Sequence, residues 1–239
     1  MIFEQNYTVE NRDIGSDHKA TNKAMLKYLE NIACRHSDKA GYGINDIEAT
    51  KVVWILLDWK FKVIERPIYG QTIKVRTWSR KMERYYAYRD FEIYDENSNI
   101  LAIATTKWVL LDAETRKIQR ISEEICSKYE SELEKKVFEE EIEKLHEPES
   151  EKISMKLKTR RTDIDINDHV NNLNYLDLAY EALPDEIYDG NLKNVRITYK
   201  HQTRPREIVN VSYTKQDEKN IITVKTEDKT DLHAIIELW

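Results

Sequence analysis

The chain has 239 residues, 34% of them charged, and a formal net charge of −6. Glycine and proline are scarce, which excludes collagen-like and disordered classes, and the acidic balance argues against broad nucleic-acid binding. We expect no signal peptide and no membrane span, because the first residues lack a basic and then apolar pattern and no apolar run is long enough. Cys34 and Cys126 are far apart without metal-ligand spacing, so they are interpreted as free thiols in a reducing cytoplasm.

The first half of the chain reads as one helix followed by antiparallel strands. Asp13-Ile14 and Asp17-His18 precede an apolar pattern of helical period, formed by Met25, Leu29, Ile32 and His36. A strand then ends at Arg66-Pro67 and a second, alternating strand follows it. A polar turn leads into an apolar strand that ends near Trp108. This order predicts an N-terminal module over residues 1–121.

Residues 122–151 are dominated by glutamate and lysine, with apolar residues at roughly helical intervals. The pattern favours a charged, helical linker, and a partner-binding helix is the alternative. After Pro148 the alternation of Ile153-Ser154-Met155-Lys156-Leu157 predicts the first strand of a C-terminal module over residues 152–239.

The second module repeats the landmarks of the first. Asp165-Ile166 and Asp168-His169 precede a helical pattern, a strand leads to Arg204-Pro205, and the last strand ends at Trp239. Each copy therefore reads as a helix that covers one face of an antiparallel sheet. That is the content of a hot-dog module, so the predicted fold class is α+β: a tandem (double) hot-dog, each module a long helix wrapped by an antiparallel sheet.

The polar stretch 163–175 lies where a loop enters the second helix. His169 is the candidate catalytic imidazole, because its neutral form accepts a proton from water near pH 7. If the stretch is extended, Asp163, Asp165 and Asn167 share one face. An amide and the helix N–H groups could then hold a carbonyl oxygen that gains charge. The alternative is that His169 only caps or packs at the helix start.

The same stretch, Asp-Ile-Asp-Ile-Asn-Asp-His-Val-Asn-Asn, resembles the D-x-D-x-N-x-H-V-N-N signature of acyl-acyl carrier protein thioesterases. Arg66-Pro67-Ile68-Tyr69-Gly70 and Thr115-Arg116-Lys117 resemble two turns of that family. The resemblance implies a double hot-dog that hydrolyses the thioester of a fatty acyl chain on acyl carrier protein, without a cofactor or metal. It assigns catalytic function to Asp165, Asn167 and His169, whereas Asp163, Asn171 and Asn172 are interpreted as capping and loop-fixing residues.

One position departs from the family pattern. The family's Y-x-x-E-(C/S) strand corresponds here to Tyr199-Lys200-His201-Gln202-Thr203, so Gln202 replaces the usual Glu. An amide cannot accept a proton, although it can hold a water or a carbonyl. The sequence therefore argues against a carboxylate base or a cysteine nucleophile there, and Gln202 is predicted to assist His169.

The first module lacks the asparagines of the signature, so we expect one active site per chain, in the second module. The resemblance then suggests that the first module forms the acyl pocket. Basic residues near the signature form either a dock for an acidic carrier protein or an ordinary charged edge: Lys156, Lys158, Arg160, Arg161, Lys200, Arg204 and Arg206. An acyl-CoA thioesterase and a non-catalytic acyl-binding protein remain alternatives. A hot-dog dehydratase is disfavoured by Asn167, and a homodimer is possible.

Overall fold

The structure is a computed structural model that describes residues 1–188 and 191–239. The chain divides into two compact units, Met1–Ile142 and Glu143–Trp239. Within the described residues, no helix has the length and apolar character needed to cross a membrane.

The N-terminal unit contains five antiparallel strands and one long helix. The sheet order is β1-β3-β4-β5-β2. The elements are β1 (Phe3–Thr8), α1 (Asn22–Ala40), α2 (Ile47–Thr50), β2 (Val52–Val63), β3 (Thr72–Glu83), β4 (Tyr86–Tyr94), β5 (Ile100–Asp112) and α3 (Glu123–Tyr129).

Helix α1 forms the centre of this unit because its sequence sets both ends and one apolar face. The Thr21 hydroxyl accepts a hydrogen bond from the Ala24 N–H at the start, and Gly41 ends the helix with a φ of 78°. Met25, Leu29 and Ile32 recur at helical spacing and are completely buried. The sheet therefore covers the apolar face of α1, as predicted.

The C-terminal unit repeats this plan with a shorter helix. Its sheet order is β7-β10-β9-β8-β6, again antiparallel. The elements are β6 (Ile153–Lys158), α4 (Asn174–Glu181), α5 (Asp185–Tyr188), β7 (Asn194–Tyr199), β8 (Ile208–Gln216), β9 (Lys219–Thr226) and β10 (Leu232–Leu238). Helix α4 has 8 residues against 19 in α1, because Pro184 disfavours helical backbone at the residue before it.

The two units match residue by residue around their helix-entry loops. Both contain a 3-10 turn, at Asn11–Asp13 and Arg161–Asp163, and both continue with a single bridge, Ile14 to Ala20 and Ile164 to Val170. His18 and Asp168 then share a left-handed backbone, with φ of 60° and 61°. The repeat is therefore real, but its predicted alignment around His18 was wrong by one residue: His18 matches Asp168, and Lys19 matches His169.

The second predicted landmark was also misaligned. The Ala20 N–H donates to the Pro67 carbonyl, and the Val170 N–H donates to the Thr203 carbonyl in the same way. Pro67 thus matches Thr203, and Arg66 matches Gln202 rather than Arg204. The repeated Arg-Pro dipeptide misled the prediction because it is a coincidence of sequence and not of backbone geometry.

Helical structure between residues 122 and 151 is limited to α3, which differs from the predicted helical linker. Residues 130–142 instead lie against the sheet of the N-terminal unit: the Trp78 indole donates to the Lys135 carbonyl (3.0 Å), and the Val137 N–H donates to the Asp90 carboxylate (3.1 Å). Side chains of the sheet therefore satisfy backbone groups that a helix would satisfy internally.

Candidate active site

The loop that enters α4 is closed by Asp163. This carboxylate is buried and accepts hydrogen bonds from the backbone N–H (2.6 Å) and the guanidinium of Arg160 (2.9 Å). The backbone carbonyl of Asp163 accepts from the Asn171 N–H (2.8 Å) and from the side-chain amide of Asn174 (2.9 Å). The predicted loop-fixing role of Asp163 is confirmed, and the side chain does not share a face with Asp165 and Asn167.

Asp165, Asn167 and His169 lie together in one tight turn rather than in an extended segment. The Asp165 N–H donates to the His169 carbonyl (2.9 Å), and the Asp168 N–H donates back to the Asp165 carbonyl (3.1 Å). The Asp165 carboxylate accepts from the Asn167 N–H (2.8 Å), as Asp does in Asx turns. The side chain of Asp165 thus maintains the shape of the turn.

The imidazole of His169 is partly buried, and its Nδ1 has no hydrogen-bond partner in the described chain. Buried polar groups without partners are uncommon, and a catalytic role is one explanation for them. The structure therefore leaves this nitrogen uncommitted to the fold, inside the turn that carries the signature.

The start of α4 is less available to a substrate oxygen than expected. The Leu173 N–H donates to the Asn171 side chain (2.9 Å), and the Asn174 N–H donates to the Asn171 carbonyl (2.9 Å). Asn171 therefore fixes the turn before the helix, as predicted, whereas the N-cap position of α4 is Leu173, which makes no side-chain capping bond. Since these two N–H groups are already satisfied, the amide side chain of Asn167, which is exposed, is the better donor toward a carbonyl.

Gln202 is brought beside His169 by the backbone. The Val170 N–H, which follows His169 in the chain, donates to the carbonyl of Thr203, which follows Gln202 (3.0 Å). His169 and Gln202 therefore lie beside the same hydrogen bond between the two loops. Gln202 is exposed. No hydrogen bond links the side chains of the predicted catalytic residues to one another in residues 1–188 and 191–239.

Helix α4 fixes the position of this second loop through Tyr175. Its hydroxyl is hydrogen-bonded to the Thr203 hydroxyl (2.8 Å) and accepts from the Thr203 N–H (3.1 Å). Burial raises the pKa of Tyr175, so the hydroxyl stays protonated near neutral pH. Thr203, at the family's usual Cys or Ser position, is fully buried and acts as an anchor rather than a nucleophile.

Sequence reasoning missed a histidine that clamps the loop carrying Gln202. His233 is buried at the start of β10; its Nδ1 lies 3.2 Å from the His201 carbonyl and its Nε2 lies 3.0 Å from Glu207 Oε1. Glu207 also accepts from the Arg204 N–H (2.8 Å). The partners are too distant in sequence for any local signal to reveal the clamp.

Some of the predicted basic surface is already paired. Arg160 contacts Asp163 (2.8 Å) and Lys156 contacts Glu227 (3.0 Å). Lys158 and Arg161 are exposed and have no ion pair in the described chain. In the described ranges, no three aspartate, glutamate, histidine or cysteine side chains are grouped so that they could hold a metal ion.

The N-terminal unit contains a cavity of about 110 Å³ among α1, α3 and strands β2 to β5. Apolar side chains form most of its wall, and Ser37, Arg89 and Tyr129 add polar groups. The Trp54 indole donates to the Tyr129 hydroxyl (2.9 Å), which donates in turn to the Ser37 hydroxyl (3.0 Å).

The fold is a tandem hot-dog. A 12:0-ACP thioesterase from Umbellularia californica superposes with a TM-score of 0.86 at 20% identity, over 99% of this chain and 96% of that one. An acyl-ACP thioesterase from Bacteroides thetaiotaomicron VPI-5482 gives 0.83 at 19% identity, over 99% and 96%. The predicted fold class is confirmed.

Models of the acyl-ACP thioesterase N-terminal and C-terminal domains match residues 1–129 and 146–237. The chain belongs to the acyl-ACP thioesterase family, as the signature predicted. Oleoyl-acyl carrier protein thioesterase 2, chloroplastic, of Arabidopsis thaliana is 25% identical over 245 residues, covering 94% of this chain and 66% of that protein. Palmitoyl-acyl carrier protein thioesterase, chloroplastic, of Cuphea hookeriana is 28% identical over 230 residues, covering 91% and 55%. The chain thus spans less than two thirds of these relatives.

Proposed function

We propose that the protein hydrolyses fatty acyl-acyl carrier protein to a free fatty acid and the holo carrier. The observation that carries the proposal is the uncommitted Nδ1 of His169 in the signature turn. Membership of the acyl-ACP thioesterase family supports the choice of substrate.

In this mechanism His169 is the general base. Its imidazole removes a proton from a water molecule, and the water oxygen attacks the thioester carbonyl carbon. Asn167 donates its side-chain amide to the oxygen that gains negative charge, and Asp165 keeps Asn167 in place through the turn. When the carbon–sulfur bond breaks, the leaving thiolate takes the proton from the imidazolium.

Gln202 assists the reaction without exchanging a proton. Its amide oxygen accepts a hydrogen bond from the attacking water and directs it toward the carbonyl, because an amide can orient water but cannot act as a base. The exposure of Gln202 beside His169 supports this role. A non-catalytic acyl-binding protein is the competing proposal, because Gln202 replaces the family's usual Glu.

The carrier is the second part of the proposal. Lys158 and Arg161 extend from β6 and the following turn close to the signature, and positive side chains there would attract an acidic carrier protein. Cytoplasmic location also belongs to the proposal and is supported by two free thiols, Cys34 and Cys126.

Thiol release tests both parts. We expect turnover of acyl-acyl carrier protein over a series of chain lengths, with a higher kcat/KM than for acyl-CoA carrying the same chain. Comparable values for both carriers would favour an acyl-CoA thioesterase. Fatty acid found by mass spectrometry on purified protein, without thiol release from either substrate, would favour the acyl-binding protein.

A further inference from the structure

A buried positive charge lines the cavity of the N-terminal unit. Arg89, on β4, is 7% exposed. Its Nη1 lies 2.6 Å from His36 Nδ1 and donates to the Thr77 hydroxyl (3.2 Å), and its guanidinium carbon lies 5.8 Å from the centre of the Tyr129 ring. None of these partners is an anion at neutral pH.

The histidine does not share the positive charge. Burial, and then the charge of Arg89, lowers the pKa of His36 to about 3, so the ring is neutral and its Nδ1 accepts from the guanidinium. Nε2 then carries the hydrogen, and this atom is buried without a partner in the described residues. His36 therefore offers Arg89 a hydrogen-bond acceptor but no negative charge.

No carboxylate lies within ion-pair distance of Arg89 in the part of the chain that the structure describes. Its neighbour in the same unit, Arg80, is equally buried but pairs with Glu141 (2.8 Å). An arginine remains charged in proteins, and a buried charge without a counter-ion is unfavourable. The remaining N–H groups of Arg89, on Nε and Nη2, make no hydrogen bond in these residues.

The rest of the cavity wall suits a hydrocarbon chain. Ala33, Val53, Trp54, Met82 and Trp108 line it, and its volume of about 110 Å³ is several times the space that one water requires. An occupant that satisfies both the wall and the guanidinium is an aliphatic chain that carries an anionic oxygen group.

We propose that this cavity binds the carboxylate of an aliphatic acid, with Arg89 as its counter-ion. The carboxylate has two possible sources, a free fatty acid or the far end of an acyl chain that carries a second carboxyl group. The site lies within the N-terminal unit. Binding of a free fatty acid there does not depend on the proposed thioesterase activity, whereas the acyl-chain source rests on the proposed function.

Calorimetric titration compares octanoate with octan-1-ol, which has the same chain without the charge. We expect octanoate to bind about tenfold more tightly or better, the usual gain from a hydrogen bond to a charged group. Arg89→Met should abolish that preference. Arg80→Met, which removes a buried arginine outside the cavity, should keep it, and melting temperatures show that each variant is folded.

A second comparison distinguishes the two sources of the carboxylate. It uses the His169→Ala variant, in which thioesters are expected to persist because the proposed general base is absent. If the distal carboxylate is the natural group, 7-carboxyheptanoyl-pantetheine binds in an Arg89-dependent way and octanoyl-pantetheine does not. If the free acid is the natural group, only octanoate depends on Arg89. Equal binding of octanoate and octan-1-ol by the native protein, or an unchanged preference in folded Arg89→Met, overturns the proposal.

Discussion

Two imidazoles of the C-terminal unit are held in opposite ways. Both ring nitrogens of His233 face oxygen atoms that accept hydrogen bonds, the His201 carbonyl and the Glu207 carboxylate. Both nitrogens of that ring are therefore engaged in contacts that hold the loop. His169, with an uncommitted Nδ1, is therefore the candidate base.

Replacing His169 by alanine is expected to lower kcat by about two to four orders of magnitude, the usual cost of losing a general base. The fold should be retained, because Nδ1 makes no structural bond. His146→Ala removes an exposed histidine from the same unit and serves as the control. Steady-state thiol release with circular dichroism checks both variants, and near-native turnover in folded His169→Ala would contradict the assignment.

Variants of Gln202 test whether this residue positions the attacking water. Gln202→Ala should lower kcat while the acidic limb of the pH–rate profile keeps a single ionisation. Gln202→Glu should be tolerated and should move that limb to higher pH, since a nearby carboxylate stabilises an imidazolium. The three pH–rate profiles are the measurement. If both variants match the native enzyme, Gln202 has no part in the reaction.

At the scale of elements, loops without regular structure are fixed by side chains that are distant in sequence. The segment 130–142 follows the N-terminal sheet through Trp78 and Asp90, and the loop after β7 is held by Tyr175 and His233. Sequence periodicity reports on local burial and cannot reveal such partners. This explains why α1 and the location of the signature loop were predictable, whereas the tight turn within that loop, the linker and the His233 clamp were not.

The contact between His233 and Glu207 can be tested with a conservative variant of Glu207, because the N-terminal unit has a glutamine at the matching position. Gln71, which matches Glu207 in the N-terminal unit, accepts from the Ile68 N–H (3.1 Å) just as Glu207 accepts from Arg204. Glu207→Gln should therefore keep the loop, whereas His233→Ala should cost about 1–3 kcal/mol of unfolding free energy and lower kcat more than it changes KM.

Urea denaturation and steady-state kinetics measure both variants. Native kcat in a destabilised His233→Ala would mean that the clamp supports the fold alone and does not position Gln202.

Glu151 fastens the chain that precedes β6 to strand β9. Its carboxylate contacts Lys225 (3.0 Å) and Lys229 (2.8 Å). Although burial opposes it, hydrogen bonds from these lysines lower the pKa of Glu151 to about 2. A carboxylate with a depressed folded-state pKa adds stability above its ordinary pKa of 4.5, and that stability is lost as the pH falls toward 2.

Glu151→Gln should therefore lower the unfolding free energy by roughly 2 kcal/mol at pH 7, which is less than the full shift implies because the side chain is partly exposed. The difference from the native protein should shrink below pH 4.5. Glu149→Gln, an exposed neighbour without an ion pair in the described residues, is the control. A difference that does not depend on pH would contradict the assignment.

At the scale of the whole molecule, the distribution of charge over the surface matters more than the net charge. The chain is acidic overall, with a net charge of −6, yet exposed positive side chains remain near the signature. The fold class was predictable because each module keeps its hydrophobic period and turn chemistry in the same order. Repeat alignment was less reliable, because Arg66-Pro67 and Arg204-Pro205 look alike in sequence but lie two residues apart in the shared geometry.

Reversing Lys158 and Arg161 to glutamate should raise KM for an acyl-acyl carrier protein more than for acyl-CoA. Charges at the rim of an interface mainly steer association, and the effect should weaken with added salt. Arg160 is left intact because it holds Asp163. Reversing Lys117 and Arg120, which are exposed in the N-terminal unit, makes the same change in net charge as a control, and equal effects of the two pairs would rule out a local dock.

The matching turns of the two units have a consequence for making an inactive enzyme. Where the C-terminal turn has Asp165, Asn167 and His169, the N-terminal turn has Gly15, Asp17 and Lys19, and its backbone bonds are the same: the Gly15 N–H donates to the Lys19 carbonyl (2.9 Å). The stabilising carboxylate has moved to Asp17, which accepts from the Lys19 N–H (3.1 Å). The triple variant with Asp165→Gly, Asn167→Asp and His169→Lys would therefore copy the N-terminal turn. It should remove the catalytic side chains while preserving the backbone of the turn.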